Sequence, residues 1–348
     1  MDHSGLSRNR LATDLPSGDL YWGAAPGARP RRNKQPVTST AAMLEAQRAF
    51  TQIRESVQRL VAIEDELLEP ILVTLLARGH ALLEGIPGIG KTLLARSLAG
   101  CVHGSFHRIQ FTNDLMPSDI IGSLVWRPSE GQFDFVEGPL FANFVLADEI
   151  NRTSPRTLSC LLEAMENGTV TVEGQSRRLA EPFLVLATRN PIEFHGTFPV
   201  PEAALDRFLV RIELDYPDEA QELALYQGSN PEELLDQLAP ILELKELRRM
   251  QRAVLDVELA EAIARYAYRV AVATREHESI LLGASPRAAM QWLRACRARA
   301  LVHGRNYVLP DDLKALADPV LGHRIFLHGG GDARPLLREV LDRTPVEL

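Results

Sequence analysis

A parallel α/β sheet followed by an all-helical domain is the fold class this sequence predicts, and three observations predict it. Five short apolar runs alternate with helical patterns between 80 and 214. That rhythm stops at Tyr216-Pro217, beyond which only helical periodicity remains. A glycine-rich turn, GIPGIGKT at 85–92, joins the first apolar run to a helical segment, as happens where strand and helix alternate in a covered sheet.

Residues 1–40 are rich in Gly, Pro, Ser, Arg and Asn, end in the basic run ARPRRNKQP and carry no sustained period, so they are expected to form a disordered tail. Its Tyr21-Trp22 pair reads as untethered aromatics rather than a docking motif. From 41 to 59, Leu44, Phe50, Ile53 and Val57, with Leu60 just beyond, recur at helical spacing and predict an amphipathic helix. HALLEG (80–85), RIQF (108–111), NFVLADE (143–149), PFLVLATRN (182–190) and FLVRIEL (208–214) read as strands buried on both faces. Two glycine-punctuated alternating segments, 119–138 and 168–179, read as hairpins inserted into this domain, which spans 41–215. The helical domain, 216–348, has helices near 218–227, 241–254, 258–276, 285–303 and 310–318, opened by Pro217-Asp218, Ser285-Pro286 and Pro310-Asp311.

With 45% hydrophobic and 24% charged residues, the 348-residue chain has the composition of a soluble globular protein. A net charge of −8 argues against a broad basic surface for duplex nucleic acid. Cys101, Cys160 and Cys296 are odd in number and far apart, which disfavours a disulfide framework or zinc site and points to a reducing compartment. No run approaches the roughly 18 apolar residues of a membrane span and no secretory signal is evident, so a cytoplasmic protein is expected.

Gly85, Ile86, Pro87, Gly88, Ile89, Gly90, Lys91 and Thr92 satisfy G-x-x-x-x-G-K-[ST] between a strand and a helix. Glycines let the backbone wrap phosphates, and the amides opening the helix, through Leu93, point at the anion. Lys91 reaches the outer phosphates and the Thr92 hydroxyl can ligate Mg²⁺, which identifies ATP and Mg²⁺ as the expected cofactors. FVLADE then ends a strand in Asp148-Glu149: one carboxylate suits the magnesium's water shell and the other can take a proton from attacking water. Asn190 closes the next strand, where its amide can orient that water. Arg207 and Arg287 are either surface ion-pair residues or charges that serve phosphoryl transfer. His103 and His107 lack a third ligand, and His195 reads as a surface loop residue. The acidic run EDELLE at 64–69 opens a helix, where carboxylates suit the dipole.

Beyond these motifs, LLEGIPGIGKT, QFTNDLMPSDIIGS, GPLFANFVLADEINRTSPRTLSCLLEAMENGTVTVEG, LATRNPIEFHGTFPVPEAALDRFL and GASPRA resemble the MoxR group of AAA+ ATPases, of the clade with an insert in the second helix, over about 58–325. The resemblance implies a P-loop αβα sandwich with a five-stranded parallel sheet and a helical lid. By it, Lys91 and Thr92 belong to Walker A, Asp148 and Glu149 to Walker B, Asn190 is sensor 1, Arg207 an arginine finger acting across subunits, and Arg287 sensor 2. The nucleotide is then expected between sheet and helical domains. The segments 119–138 and 168–179 become the helix-2 insert and pre-sensor hairpin. A hexameric ring, a protein client and a von Willebrand factor A domain partner are implied too. One departure concerns adenine packing: LVAIEDELLEP replaces the usual valine-glycine-glutamine turn. Alternatives are the ATPase subunit of a metal chelatase, a nucleic-acid motor, and a nucleotide-gated scaffold.

Overall fold

The computed structural model describes residues 40–191, 197–227 and 231–346. The expected tail, with Tyr21-Trp22, and His195 lie outside the described residues. Helix α1 (Thr40–Gln58) buries Met43, Ala46, Ala49, Phe50, Ile53 and Val57 as one stripe. Leu44, expected to face inward, stands one position round the helix, ~100° from Met43, and stays exposed. Helix α2 (Asp65–Leu76) follows with Asp65 and Glu66 in its first turn.

The sheet domain then runs β1 (Ala81–Glu84), α3 (Lys91–Gly100), β2 (Val102–His103), β3 (Phe106–Gln110), α4 (Pro117–Ile121), β4 (Gly122–Arg127), β5 (Gln132–Glu137), β6 (Phe144–Asp148), α5 (Pro155–Asn167), β7 (Thr169–Val172), β8 (Gln175–Arg178), β9 (Leu184–Arg189), α6 (Glu202–Leu205) and β10 (Val210–Glu213). Five of these strands pair in the order β10-β1-β9-β6-β3, all parallel, while β4–β5 and β7–β8 form separate antiparallel hairpins. Parallel pairing puts every strand's carboxyl end at one edge. Gly85, Glu149 and Asn190 each follow a strand there.

His80 ties the other edge together. Its Nε2–H donates to the Met165 carbonyl at the end of α5 (3.0 Å), and its Nδ1 accepts from the Val185 amide (3.0 Å). Complete burial pushes its pKa down to about 4 from 6.5. Burial likewise lowers His323, which donates to the Phe208 carbonyl. A depressed folded-state histidine pKa means the unfolded chain binds the extra proton below pH 6.5, so stability falls with pH and levels off near 4. His80 alone should contribute a loss of about 2 kcal/mol between about pH 7.5 and about pH 5. Urea midpoints across that window should fall for the wild type and less steeply for His80→Asn; equal slopes would count against the assignment.

The helical part comprises α7 (Glu219–Gln227), α8 (Pro231–Asp236), β11 (Leu242–Glu243), α9 (Leu244–Ala253), α10 (Glu261–Glu276), β12 (Ile280–Leu282), α11 (Pro286–Val302), α12 (Pro310–Leu321), β13 (Phe326–Leu327) and α13 (Arg334–Arg343). Strand β11 pairs with β2 and β12 with β13. The core is continuous: α1, α2, α3 and one face of the sheet share it with α9 to α13, around the fully buried Trp292, whose indole donates to the Leu313 carbonyl (3.0 Å). Glu69, read from sequence as a helix-dipole residue, instead accepts from Arg299 on α11 (3.0 Å) and pairs with His303 just past the end of that helix (2.5 Å). Burial opposes its charge, but His303 and Arg299 together hold the carboxyl below its ordinary value.

Candidate active site

Gly85 to Gly90 leave β1 and turn into α3. Gly90 adopts φ 89°, a left-handed conformation that costs glycine little. A Cβ on Gly85 would stand 2.5 Å from the Leu214 carbonyl oxygen, so this residue must lack a side chain for the loop to leave the sheet. Pro87 and Gly88 form the exposed apex, flanked by Ile86 and Ile89. Lys91 folds back on its own loop, donating to the carbonyls of Gly85 (2.5 Å) and Ile86 (2.8 Å). Those bonds place the ammonium inside the cradle where a phosphate would replace them. Thr92 and Leu93 follow in the first turn of α3.

The carboxylates close the adjacent strand end. Asp148 Oδ1 accepts from the Thr188 hydroxyl (2.5 Å), and Oδ2 from Arg108 Nη2 (2.6 Å). Glu149 is left-handed at φ 58°, ψ 53°, its amide donating to Thr188 Oγ1 (2.9 Å). Its Oε2 accepts from Gln110 (2.9 Å) and Arg152 (3.0 Å). A strained non-glycine backbone held by this many partners fixes where the carboxylate points. Asn190 is buried one residue beyond β9, its carbonyl accepting from the Asn151 amide group (3.2 Å).

Arg108, Gln110 and Glu84 escaped the sequence reading. The signal for the first two was a polar residue at alternate positions of the strand neighbouring FVLADE; for Glu84, it was a charge ending an otherwise apolar strand immediately before Gly85. Buried Glu84 pairs with Arg211 (2.8 Å) and Arg189 (3.4 Å), anchoring the base of the loop.

A cavity of about 260 Å³ opens beside the loop, lined in part by Val61, Ile63, Leu67, Ile89, Leu214 and Tyr216. The segment that lacks the usual glycine therefore builds an apolar wall next to the phosphate cradle. For a divalent cation, the Thr92 hydroxyl and Asp148 carboxylate are hard oxygen donors. Among the described residues, no group of three His, Cys, Asp or Glu can hold a metal. That donor set fits Mg²⁺, which takes one or two protein oxygens together with substrate phosphates.

Arg207 and Arg287 do not join this constellation within the chain. Arg207 Nη1 pairs with Glu166 Oε2 at 2.5 Å and donates to the Leu162 carbonyl at 2.8 Å. Arg287, in the first turn of α11 behind the Ser285 cap, reaches Glu166 Oε1 at 3.3 Å and Asp206 at 3.7 Å. Register decides where this cluster lies: Ala81 pairs with Val210 and Glu84 with Glu213, so Arg207 stands before the amino end of β10 while Lys91 follows the carboxyl end of β1. The two are separated by at least a strand length, roughly 13 Å. Arg287, expected to read a nucleotide held between its own two domains, stands within the chain beside Arg207 on Glu166, with α11 packed on α1 and α2. His103 pairs with Glu243, and His107 contacts the Pro139 carbonyl.

Comparison with known proteins agrees with this architecture. The family model described as the ATPase family associated with various cellular activities (AAA) matches residues 80–210, and that of the AAA lid domain matches 272–343. YeaC of Bacillus subtilis is 43% identical over 300 residues, 84% of this chain and 93% of its own. Chaperone MoxR1 of Mycobacterium tuberculosis is 43% identical over 282 residues, 78% of this chain and 74% of its own. Protein MoxR of Methylorubrum extorquens is 28% identical over 327 residues, 85% and 95% of the two chains. A crystal structure of a Cytophaga hutchinsonii protein superposes with a TM-score of 0.80 at 34% identity, over 88% of this chain and 98% of that one. Relatives bearing the MoxR name align across both the sheet and the helical part, and the chain belongs to the MoxR family of AAA+ ATPases.

Proposed function

We propose that this ATPase hydrolyses ATP with Mg²⁺ at sites shared between subunits of a closed homo-oligomeric ring, a hexamer, and couples turnover to remodelling or activating a protein client. The observation that carries the reading is the separation of the catalytic groups. Lys91, Asp148, Glu149 and Asn190 gather at one edge of the sheet, whereas Arg207 and Arg287 gather at the other. A phosphate held at Lys91 is then served by the arginines of a neighbouring copy, and a head-to-tail interface of this kind closes into a ring.

In this arrangement Lys91 and the amides from Gly88 to Leu93 bind the phosphates, with the base against the wall of Val61, Ile63 and Leu214. Glu149 accepts the proton of the attacking water, and Asn190 orients that water. Thr92 and Asp148 would hold the cation, which would supply charge neutralisation on the phosphates. Arg207 and Arg287 of the neighbour stabilise negative charge developing on the transferred group. Loss of the γ-phosphate releases both arginines at once, which changes subunit packing and lid position together.

The printed name of Chaperone MoxR1 supports a protein client, and the family resemblance supports a von Willebrand factor A domain partner. No helix among the described residues is long and apolar enough to cross a membrane, in keeping with a cytoplasmic setting. The test is turnover per subunit over a dilution series with size measured in parallel. Specific activity should fall as the oligomer dissociates; constant activity in a dissociated chain would overturn the shared site.

A further inference from the structure

Among the described residues, one carboxylate faces both of the arginines that lie apart from the phosphate loop. Glu166 is the penultimate residue of α5, and its two oxygens are divided: Oε2 meets Arg207 Nη1 at 2.5 Å, and Oε1 meets Arg287 Nη1 at 3.3 Å. The arginines come from different parts of the fold, one from the turn before β10 and the other from α11. Nothing in local sequence spaces them. The Glu166 side chain bridges them.

The surroundings make Glu166 a fixed post. The preceding carbonyl, of Met165, is held by buried His80, which also receives the Val185 amide, so the end of α5 is tied to the sheet. Arg207 is further steadied by the Leu162 carbonyl one turn earlier. On the other side, Asp206 accepts from Arg324 Nε at 2.9 Å while lying 3.7 Å from Arg287. Arg324 is buried, and burial lowers its pKa to about 10, so it remains charged at neutral pH. Three guanidinium groups therefore share these two carboxylates. Arg287, the most exposed of the three, has 47% of its side chain in solvent, and a groove of about 230 Å³ beside Arg207 is lined by Ser159, Leu162, Glu163 and Asn167. An anion arriving from outside the subunit finds both guanidinium groups within reach.

We propose that Glu166 is a positioning residue that holds Arg207 and Arg287 as a pair, and that the γ-phosphate of a neighbouring subunit replaces Glu166 as their shared counter-anion. The inference rests on the shared-site reading above. Electrostatic stabilisation works when its charges are in place before the reaction. Two long flexible cations would otherwise repel each other and scatter, and a bridging carboxylate supplies the order at the cost of a bond the phosphate must exchange. Exchange is favourable because a terminal phosphate carries more charge than a carboxylate and offers bidentate acceptors to each arginine. The device also couples the lid to the core, since Arg287 belongs to α11 and Glu166 to α5.

The experiment uses the full chain with Glu166→Gln, which keeps the shape and removes the charge. Turnover with Mg-ATP, equilibrium binding of ATP, and activity after mixing with Lys91→Ala subunits are measured beside Arg207→Ala. The expected result is a kcat lower by about 10- to 100-fold, ATP affinity within about twofold of the wild type, and recovery on mixing. Recovery arises because the Lys91→Ala subunit lends an intact Glu166-Arg207-Arg287 set to the variant's own phosphate loop. A kcat equal to the wild type overturns the proposal. So does a loss that mixing fails to recover while Arg207→Ala is recovered, since Glu166 then acts within its own subunit. Failure of Arg207→Ala to recover is a different outcome: it removes the shared-site reading and this proposal with it. If Glu166→Gln does not fold, Glu166→Asp carries the same test, because one methylene fewer keeps the charge but cannot span both arginines.

Discussion

Glu149→Gln should bind ATP with nearly wild-type affinity and turn it over about 10²- to 10⁴-fold more slowly, the usual contribution of a positioned general base. The residue's surroundings predict that the change is confined to chemistry. The Glu149 amide is fixed by Thr188 Oγ1, and the backbone conformation does not depend on the charge of the side chain. Gln110 and Arg152 both donate to Oε2, and a glutamine oxygen in the same place accepts from both. What the amide lacks is the capacity to take a proton. Turnover and equilibrium ATP binding measured on the same preparation test this. A variant within about tenfold of wild-type turnover would mean that another group accepts the proton. An inactive variant that keeps ATP should also hold its client or partner in a long-lived complex.

Arg207→Ala should lose about 10³-fold in turnover without losing ATP, and mixing it with Lys91→Ala should restore part of the activity. Neither variant works alone: one lacks the phosphate contact and the other lacks the charge supplied to a neighbour. In a mixed ring the Lys91→Ala subunit lends Arg207 to the intact phosphate loop of the Arg207→Ala subunit. The expectation rests on Glu166 and the Leu162 carbonyl, which hold Arg207 at the amino edge of the sheet. Absence of recovery, with both variants folded and co-assembled, would place Arg207 in service of its own subunit.

Legibility in the sequence followed the strength and length of each pattern. Leu82, Val145 and Val185 lie in strands buried on both faces, so their runs stood out as unbroken apolar stretches. The helix α8, at six residues, and the two-residue strands β2, β11 and β13 are too short to show a period. Helix α13 lay beyond the last expected helix, although Leu337, Val340 and Leu341 do bury at helical spacing. Leu44 fell on the wrong side because a stripe of Ala46, Ala49 and Phe50 defines the buried face more strongly than a single leucine.

The phosphate loop, the carboxylate pair and the amide at the next strand end were readable without coordinates, because each is a short run whose chemistry depends on adjacent residues. The same holds for the alternation that makes a parallel sheet and for its end at Pro217. Only the tertiary structure decided that Glu84 anchors the loop, that Gln110 and Arg152 aim Glu149, and that Arg287 stands with Arg207 on Glu166. Residues 121 positions apart meet there. Their meeting depends on α11 packing against α1 and α2, a consequence of the continuous core they share. No local pattern encodes that choice, because it is set by the summed burial of side chains scattered along the whole chain.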